Sequence, residues 1–295
     1  MSSLAARLRA GQFVVTTELT PPKGIDLCEL FAKADALKGL VDGINLTESP
    51  RARMAIEPTA VARLLIERGA EPIVQFTARD RNRIALQSDI LGAAALGVRN
   101  AVFMTGDQPG QGDHPDAKPV FDLNTVQMIA AARSLTLGQD YSGNALKGAP
   151  ELFIGATANP GAEDLAWEAD NTRRKIAAGA QFLQTQAVYD PASLRNYLEA
   201  LGTDSVALLV GVIPLKSAKM ARWLNANVPG IRVPEALIQE MDAVTGDAAA
   251  ELRVSTDMIA RIVRDVRPYC AGIHLMTMGW EQHIPAILAA SGVQR

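Results

Sequence analysis

Residues 72–104 read PIVQFTARDRNRIALQSDILGAAALGVRNAVFM. A short apolar run, Pro72 to Phe76, leads into Arg83 to Leu96, where apolar residues recur at helical spacing. A second short run follows from Ala101 to Met104. Short runs rich in β-branched and aromatic residues read as strands, and a helix between two of them makes a βαβ unit. Both runs are nearly continuous in apolar character, as parallel strands covered on both faces are.

The same beat continues outward in both directions. Upstream lie a strand from Phe13 to Thr17 with a helix from Asp26 to Leu40, Asp26 serving as N-cap, and a strand from Gly43 to Leu46 with a helix from Glu57 to Arg68. Downstream, a helix from Leu123 to Leu135 completes the fourth unit. Strands from Leu152 to Ala156 and Phe182 to Thr185 are followed by helices from Glu163 to Ala178 and Pro191 to Leu201. The strand from Val206 to Ile213 precedes three helical stretches, Lys216 to Asn225, Pro234 to Val244 and Ala248 to Val266. Gly272 to Met276 and Glu281 to Ala290 close the series. Eight units are the count of an α/β (β/α)8 TIM barrel, and 295 residues suit one such domain, 1–295. The extra helices between strands 7 and 8 are expected to pack outside the barrel. A doubly wound sheet is the competing fold. It opens with a glycine-rich phosphate loop, whereas the first strand here runs into Glu18-Leu19-Thr20-Pro21-Pro22.

Apolar residues make up 48% of the chain and aromatics 5%, so Ala, Leu, Val and Ile must fill the core. The net charge of −3, with both signs dispersed, argues against a nucleic-acid surface. The N-terminus lacks the apolar segment of a signal peptide, and no run of about 18 apolar residues offers a membrane span, so a cytoplasmic protein is expected. Cys28 and Cys270 lie far apart without a CxxC and are expected to be buried, reduced thiols. No Cys/His cluster with metal-ligand spacing occurs, and no GxSxG elbow accompanies a Ser-His-Asp order.

Barrels carry their chemistry at the C-terminal ends of the strands. The polar residues there are Glu18; Asn45, Thr47 and Glu48; Gln75 and Thr77; Thr105 and Asp107; Thr157 and Asn159; Gln184 and Gln186; Lys216; His274 and Thr277. Glu18 stands between an apolar strand and two prolines, where desolvation would make it a proton donor at neutral pH; pairing with Lys23 is the structural alternative. Asp107 follows Gly106, whose missing side chain lets backbone approach a ligand, although an Asp also opens turns. Strand alternation puts Gln184 and Gln186 on one face, suited to a ligand with donors and acceptors such as a pterin, or to an internal hydrogen-bond network. Asn171, Arg173, Arg174 and Lys175 form either a solvated helix face or a phosphate site. His114 belongs to a Gly/Pro-rich loop, 106–119, and His274 alternates with apolar residues as a core histidine does.

Six segments carry a resemblance. They are Glu18-Leu-Thr-Pro-Pro, Thr105-Gly-Asp107-Gln-Pro, Arg173-Arg-Lys-Ile-Ala-Ala-Gly-Ala180, Gln184-Thr-Gln186-Ala-Val-Tyr-Asp190, Gly211-Val-Ile-Pro214 and Gly272-Ile-His-Leu-Met-Thr-Met-Gly-Trp280. In this order the chain resembles the methylenetetrahydrofolate reductase family over nearly its whole length. The resemblance implies a barrel with FAD across the strand ends (FMN or no flavin being the alternatives), NADH or NADPH as co-substrate, and a tetrahydrofolate derivative as substrate. It implies Glu18 as the acid that opens the folate ring, Asp107 at the pterin and flavin, and Gln186 orienting the folate. Thr47, Gln75, Thr105, Gly106 and Ala156-Thr157-Ala158-Asn159 match flavin-contact positions. Glu168, Asn171, Arg174, Lys175 and Ala180 match positions around the ribityl, phosphate and adenosine parts. Kinetically it implies one cleft serving two substrates in turn, and biologically one-carbon metabolism and methionine synthesis.

The chain also departs from that pattern. Thr105 replaces an arginine, Gln75 a histidine, and Thr-Ala-Asn-Pro the aromatic pieces after strand five; Ala218 replaces an aromatic. Trp280 stands for an arginine near the folate tail and offers a ring for stacking. The parts that grip flavin and nicotinamide are thinned while those that handle the pterin remain. A folate-binding subunit served by a partner protein, a flavin-free reductase with a direct hydride donor, and a pterin-dependent methyltransferase are the competing readings. A homo-oligomer is likewise compatible with the sequence.

Overall fold

The computed structural model describes residues 1–294; Arg295, the last residue of the expected domain, lies outside the described residues. Eight parallel strands, β1 (Val14–Leu19), β2 (Gly43–Leu46), β3 (Pro72–Thr77), β4 (Asn100–Met104), β5 (Phe153–Ala158), β6 (Phe182–Ala187), β7 (Ala207–Val212) and β8 (Gly272–Leu275), pair in chain order. The ring closes through β8 and β1, with Thr16 beside His274. Helices α2 (Cys28–Ala36), α3 (Pro58–Glu67), α4 (Arg83–Ala95), α5 (Thr125–Thr136), α6 (Leu165–Ala178) and α7 (Pro191–Leu201) follow the first six strands. After β7 come α8 (Ala218–Asn227), α9 (Glu235–Asp242) and α10 (Ala248–Val266), and after β8 comes α11 (Ile284–Ala290). The expected (β/α)8 barrel is the fold observed.

Pleating divides each strand between two cores. Outward residues such as Val15, Ile44, Val74, Phe103, Ile154, Leu183, Val210 and Ile273 join the helix-facing cluster. Inward residues Val14, Ile73, Val102, Phe153, Phe182 and Leu209 form a second cluster, plugged at the N-terminal end of the barrel by Leu4 and Ala5. The plug is α1 (Ser3–Arg9), a helix the strand–helix rhythm did not announce. Ser2 caps it, Ser3 bonds Glu71, and Arg7 pairs with the buried Asp42. Within this layer Phe153 and Phe182 stack with centroids 4.8 Å apart.

Several local boundaries differ from the sequence expectation. β1 extends two residues further and takes Glu18 into the strand, opposite Asn45. Asp26 is not an N-cap: α2 starts at Cys28, whose N–H donates to Asp26 Oδ1 before the first turn. Cys28 is exposed rather than buried, and no disulfide links it to Cys270, whose thiol is pushed up to about 11 by burial. The last helix is split by a 3₁₀ turn at Glu281–His283. The insertion after β7 packs outside the strands as expected, α10 against α7 and α11, and it also reaches over the loops of the mouth. Trp223 of α8 lies 5.5 Å from the Arg51 guanidinium beyond β2, and the Gly230 backbone abuts Asn159 beyond β5 with no room for a side chain. Among the described residues no helix is long and apolar enough to cross a membrane.

Phe182→Ala empties the centre of the inner plug. It is expected to cost about 3–5 kcal/mol, measured as a fall in the urea midpoint at unchanged slope.

Candidate active site

Above the apolar plug the barrel interior turns polar. Thr16, Asn45, Gln184 and His274 are all buried, and burial of polar atoms is tolerable only when they bond one another. They do. Asn45 Nδ2 donates to Gln184 Oε1 at 2.7 Å, and Gln184 Nε2 returns a bond to Asn45 Oδ1 at 3.0 Å. The second N–H of Gln184 points between Thr16 Oγ1 at 3.3 Å and His274 Nδ1 at 3.4 Å. Thr16 Oγ1 and His274 Nδ1 are 2.9 Å apart.

Glu18 is the next inward residue of β1. Its side chain keeps 23% exposure, and its Oε2 lies 3.8 Å from His274 Nε2. It forms the floor of a cleft of about 900 Å³ whose walls come from the loops after β1, β2, β4 and β8. Asp113 ties three of those loops together. It accepts from Lys23 at 2.5 Å and from Met54 N–H at 3.0 Å, and the Lys23 ammonium foremost holds its carboxyl down at about 2. On the β8 side, Glu281 accepts from Thr277 and from Gly279 N–H, each at 2.9 Å, and faces Lys33 at 3.3 Å. Burial opposes its charge, but these partners outweigh burial and set its carboxyl below the ordinary range. Lys216 donates to Met278 C=O at 2.5 Å and lies 5.5 Å from the Trp280 ring; burial lowers its ammonium. Trp280 thus stands beside the cleft, edge-on to His283.

The wall beyond β2 is strained. Ser49, Arg51 and Ala52 all adopt positive φ, a region that disfavours L side chains. Asp107 Oδ2 anchors this loop by accepting from Arg51 N–H at 2.7 Å. The buried Arg79 reaches Ser49 C=O at 3.3 Å and Asp107 C=O at 3.5 Å while forking onto Asp80. A Cβ on Gly112 would lie 1.9 Å from Ala52 O, so the β4 loop packs backbone to backbone on the β2 loop. The sequence singled out neither this loop nor Arg79. Arginines immediately after an apolar strand were the available signal.

The candidate residues divide. Thr47, Gln75 and Thr157 extend the inward series of β2, β3 and β5 toward the mouth. Among the described residues the Gln75 amide and the Thr157 hydroxyl have no hydrogen-bond partner, and Thr77 Oγ1 is buried without one. Thr105 bonds Thr125, and Gly106 lies against Thr77, where a Cβ would come within 2.8 Å. These side chains leave hydrogen-bonding capacity free at this part of the mouth.

The other candidates are engaged elsewhere. Ala156 and Ala158 point into the helix-facing core. Ala180 is buried in the turn from α6 to β6, at the N-terminal end of the barrel and remote from the mouth. Glu168 and Lys175 are buried in the wall. Lys175 Nζ donates to Thr157 C=O at 2.8 Å and lies 3.9 Å from Glu168, which accepts from Asn159 N–H at 3.0 Å. Burial lowers the Lys175 ammonium, with Glu168 opposing. Asn171 is partly exposed, and Arg174 is paired with Asp170 on the surface at 2.9 Å. Ala218 is buried at the start of α8. Gln184 joins the buried network, while Gln186 stands half-buried near the end of β6. Between Gln184 and Ala187 the register slips, three residues of β6 facing two of β7, and Gln186 Oε1 accepts from the neighbouring Ala187 N–H.

A family model described as methylenetetrahydrofolate reductase matches residues 3–292. The chain belongs to the methylenetetrahydrofolate reductase family. A 5,10-methylenetetrahydrofolate reductase of Pectobacterium carotovorum is 23% identical over 291 residues, covering 96% of this chain and 92% of that one. Methylenetetrahydrofolate reductase 2 of Schizosaccharomyces pombe is 22% identical over 230 residues, 75% of this chain but only 35% of the yeast protein. Among solved structures, a Clostridium thermocellum protein described as binding two copies of 5-methyl-5,6,7,8-tetrahydrofolic acid superposes with a TM-score of 0.64. It is 15% identical, with 99% of each chain covered, a likeness of fold. The EDTA monooxygenase EmoA of Chelativorans sp. BNC1 gives 0.57 at 10% identity, covering 95% of this chain and 93% of that one.

Removing the buried ammonium by Lys175→Met leaves Glu168 uncompensated and is expected to cost about 3–5 kcal/mol. Arg174→Ala, at an exposed pair, should stay within about 0.5 kcal/mol. Chemical denaturation of the two variants side by side checks the contrast.

Proposed function

We propose that the protein reduces 5,10-methylenetetrahydrofolate to 5-methyltetrahydrofolate with electrons from NADH or NADPH. The observation that carries this reading is Glu18, the partly covered carboxyl at the floor of the cleft, within a chain of this family. The folate would enter over Glu18 between the loops after β1, β2 and β8.

Glu18 protonates N10 of the five-membered ring. The bond from N10 to the bridging carbon breaks and leaves an iminium at N5. A hydride then joins that carbon to give the methyl group, while the nicotinamide is oxidised to NAD⁺ or NADP⁺ and one proton is consumed overall. Glu18 supplies the proton, and the cleft walls hold the acceptor in line. Thr47, Gln75 and Thr157 are the side chains that would hold the ring of a flavin, FAD being the form the family resemblance implies. When bound it supplies the two-electron relay between nicotinamide and folate. Asp107 and Gln186 act near the pterin in this reading, Asp107 by fixing the loop that walls the cleft.

A second reading, a folate-binding subunit reduced by a partner protein, is favoured by the engagement of Lys175 and Glu168 inside the wall. Turnover by the purified chain with NADH or NADPH alone excludes it.

Glu18→Gln is expected to lower folate reduction by about 100-fold or more while leaving the bound flavin unchanged. Near-wild-type turnover would remove Glu18 from the role of acid. The visible spectrum of the purified protein, with chromatography of what it releases on denaturation, is expected to show a flavin; a colourless protein that also fails to take up FAD or FMN would remove the flavin from the proposal.

A further inference from the structure

His274 is buried at 4%, faces Glu18 on one side, and meets a fixed hydrogen-bond network on the other. We propose that His274 is the positioning residue for Glu18: its ring holds the proton on Nε2 and directs that N–H at the Glu18 carboxylate. This assignment rests on the proposed role of Glu18 and deepens it.

The neighbours of the ring guide the assignment of its tautomer. Gln184 Oε1 accepts from Asn45, and one Gln184 N–H is returned to Asn45 Oδ1. The remaining Gln184 N–H faces Thr16 Oγ1 and His274 Nδ1 together. We take Nδ1 as the acceptor of the two groups that face it. The Thr16 hydroxyl lies 2.9 Å from Nδ1 and 3.4 Å from the other acceptor in its reach, Ile273 C=O, and its proton is assigned to the shorter contact. On this assignment the imidazole proton sits on Nε2, the nitrogen that faces Glu18 Oε2.

At 3.8 Å the two groups are just beyond a direct hydrogen bond. A small turn of the partly exposed Glu18 side chain closes the gap, as catalytic contacts often tighten once substrate is bound. The N–H then orients the carboxyl toward the bound folate and steadies the carboxylate left after proton transfer. The chain of partners crosses the barrel from β2 through β6 and β1 to β8, so the ring angle is fixed by four strands rather than by one rotamer. In the sequence His274 reads as a histidine satisfied by the core. The structure shows only one of its nitrogens satisfied there.

The test compares His274→Ala, His274→Gln and Thr16→Val in the wild-type chain, plus the double variant Thr16→Val/His274→Ala. Each is assayed with 5,10-methylenetetrahydrofolate and NADH, or NADPH if that is the active donor, after circular dichroism has established folding. His274→Ala is expected to lower kcat by about 10- to 100-fold, the scale of losing an outer partner that orients an acting group, with the folate KM within about threefold. His274→Gln, which keeps an N–H in reach, should recover most of that loss. Thr16→Val should lower kcat alone and add nothing in the His274→Ala background, because it acts only through the ring. A His274→Ala kcat within about twofold of wild type, or full additivity of the two substitutions, overturns the proposal. If His274→Ala fails to fold, the His274→Gln and Thr16→Val variants decide, and a loss in His274→Gln as deep as that of Glu18→Gln also overturns it. If Glu18→Gln is itself fully active, the functional reading falls and His274 has no acid to position; if Glu18→Gln is inactive and the His274 variants are not, only the role given to His274 falls.

Discussion

A side-chain amide inside a closed barrel has no water to fall back on. Asn45 and Gln184 resolve this by bonding each other twice, from strands on opposite sides of the ring. The pair fixes the orientation of both amides, and through the remaining Gln184 N–H it fixes Thr16 and His274 as well. Below it lies the apolar plug of Phe153, Phe182 and their neighbours; above it lies Glu18. The interior is therefore layered along its axis, apolar at the closed end, bonded in the middle and open to the cleft at Glu18. The middle layer both separates the plug from the cleft and gives Glu18 a bonded base. Leaving any one member without its partner would expose the others to the cost of an unmet buried donor or acceptor.

The barrel itself was legible because its signal is repeated eight times. Runs such as Ile73-Val74 and Leu208-Leu209-Val210 are buried on both faces, and the Ala/Leu-rich stretches between them are the covering helices. Glu18 was legible too, since an acid at the end of an apolar strand is conspicuous. What escaped depends on tertiary pairing. The register shift of β6 against β7, between Gln184 and Ala187, is announced by no local residue pattern. Lys175 looks like one more cation in a basic run, yet it turns inward because Thr157 C=O and Glu168 lie within its reach along the sheet. Its neighbours Arg173 and Arg174 stay at the surface. The short helix α1 becomes a plug only because the end of a barrel needs closing, a need that no window of sequence contains.

The two halves of the mouth differ in how their polar groups are used. Around β3 and β5, Gln75, Thr77 and Thr157 retain hydrogen-bonding capacity that no described residue meets. Around α6 the charged groups expected at a cofactor tail are already paired with strand backbone or with one another. Departures such as Thr105 and Ala218 fall in the same regions and are filled by ordinary contacts, a hydroxyl on Thr125 and a buried helix start.

The contact between Gly112 and Ala52 has an evolutionary side. Two loops from different strands meet with backbone against backbone, and one of them keeps its left-handed turns through Asp107. Lengthening either loop, or placing any side chain at 112, would demand a matching change in the other. Relatives of this chain should therefore vary at 49–52 and 106–113 as a linked block, inherited or replaced together, and substrate preference encoded there would shift in steps rather than drift.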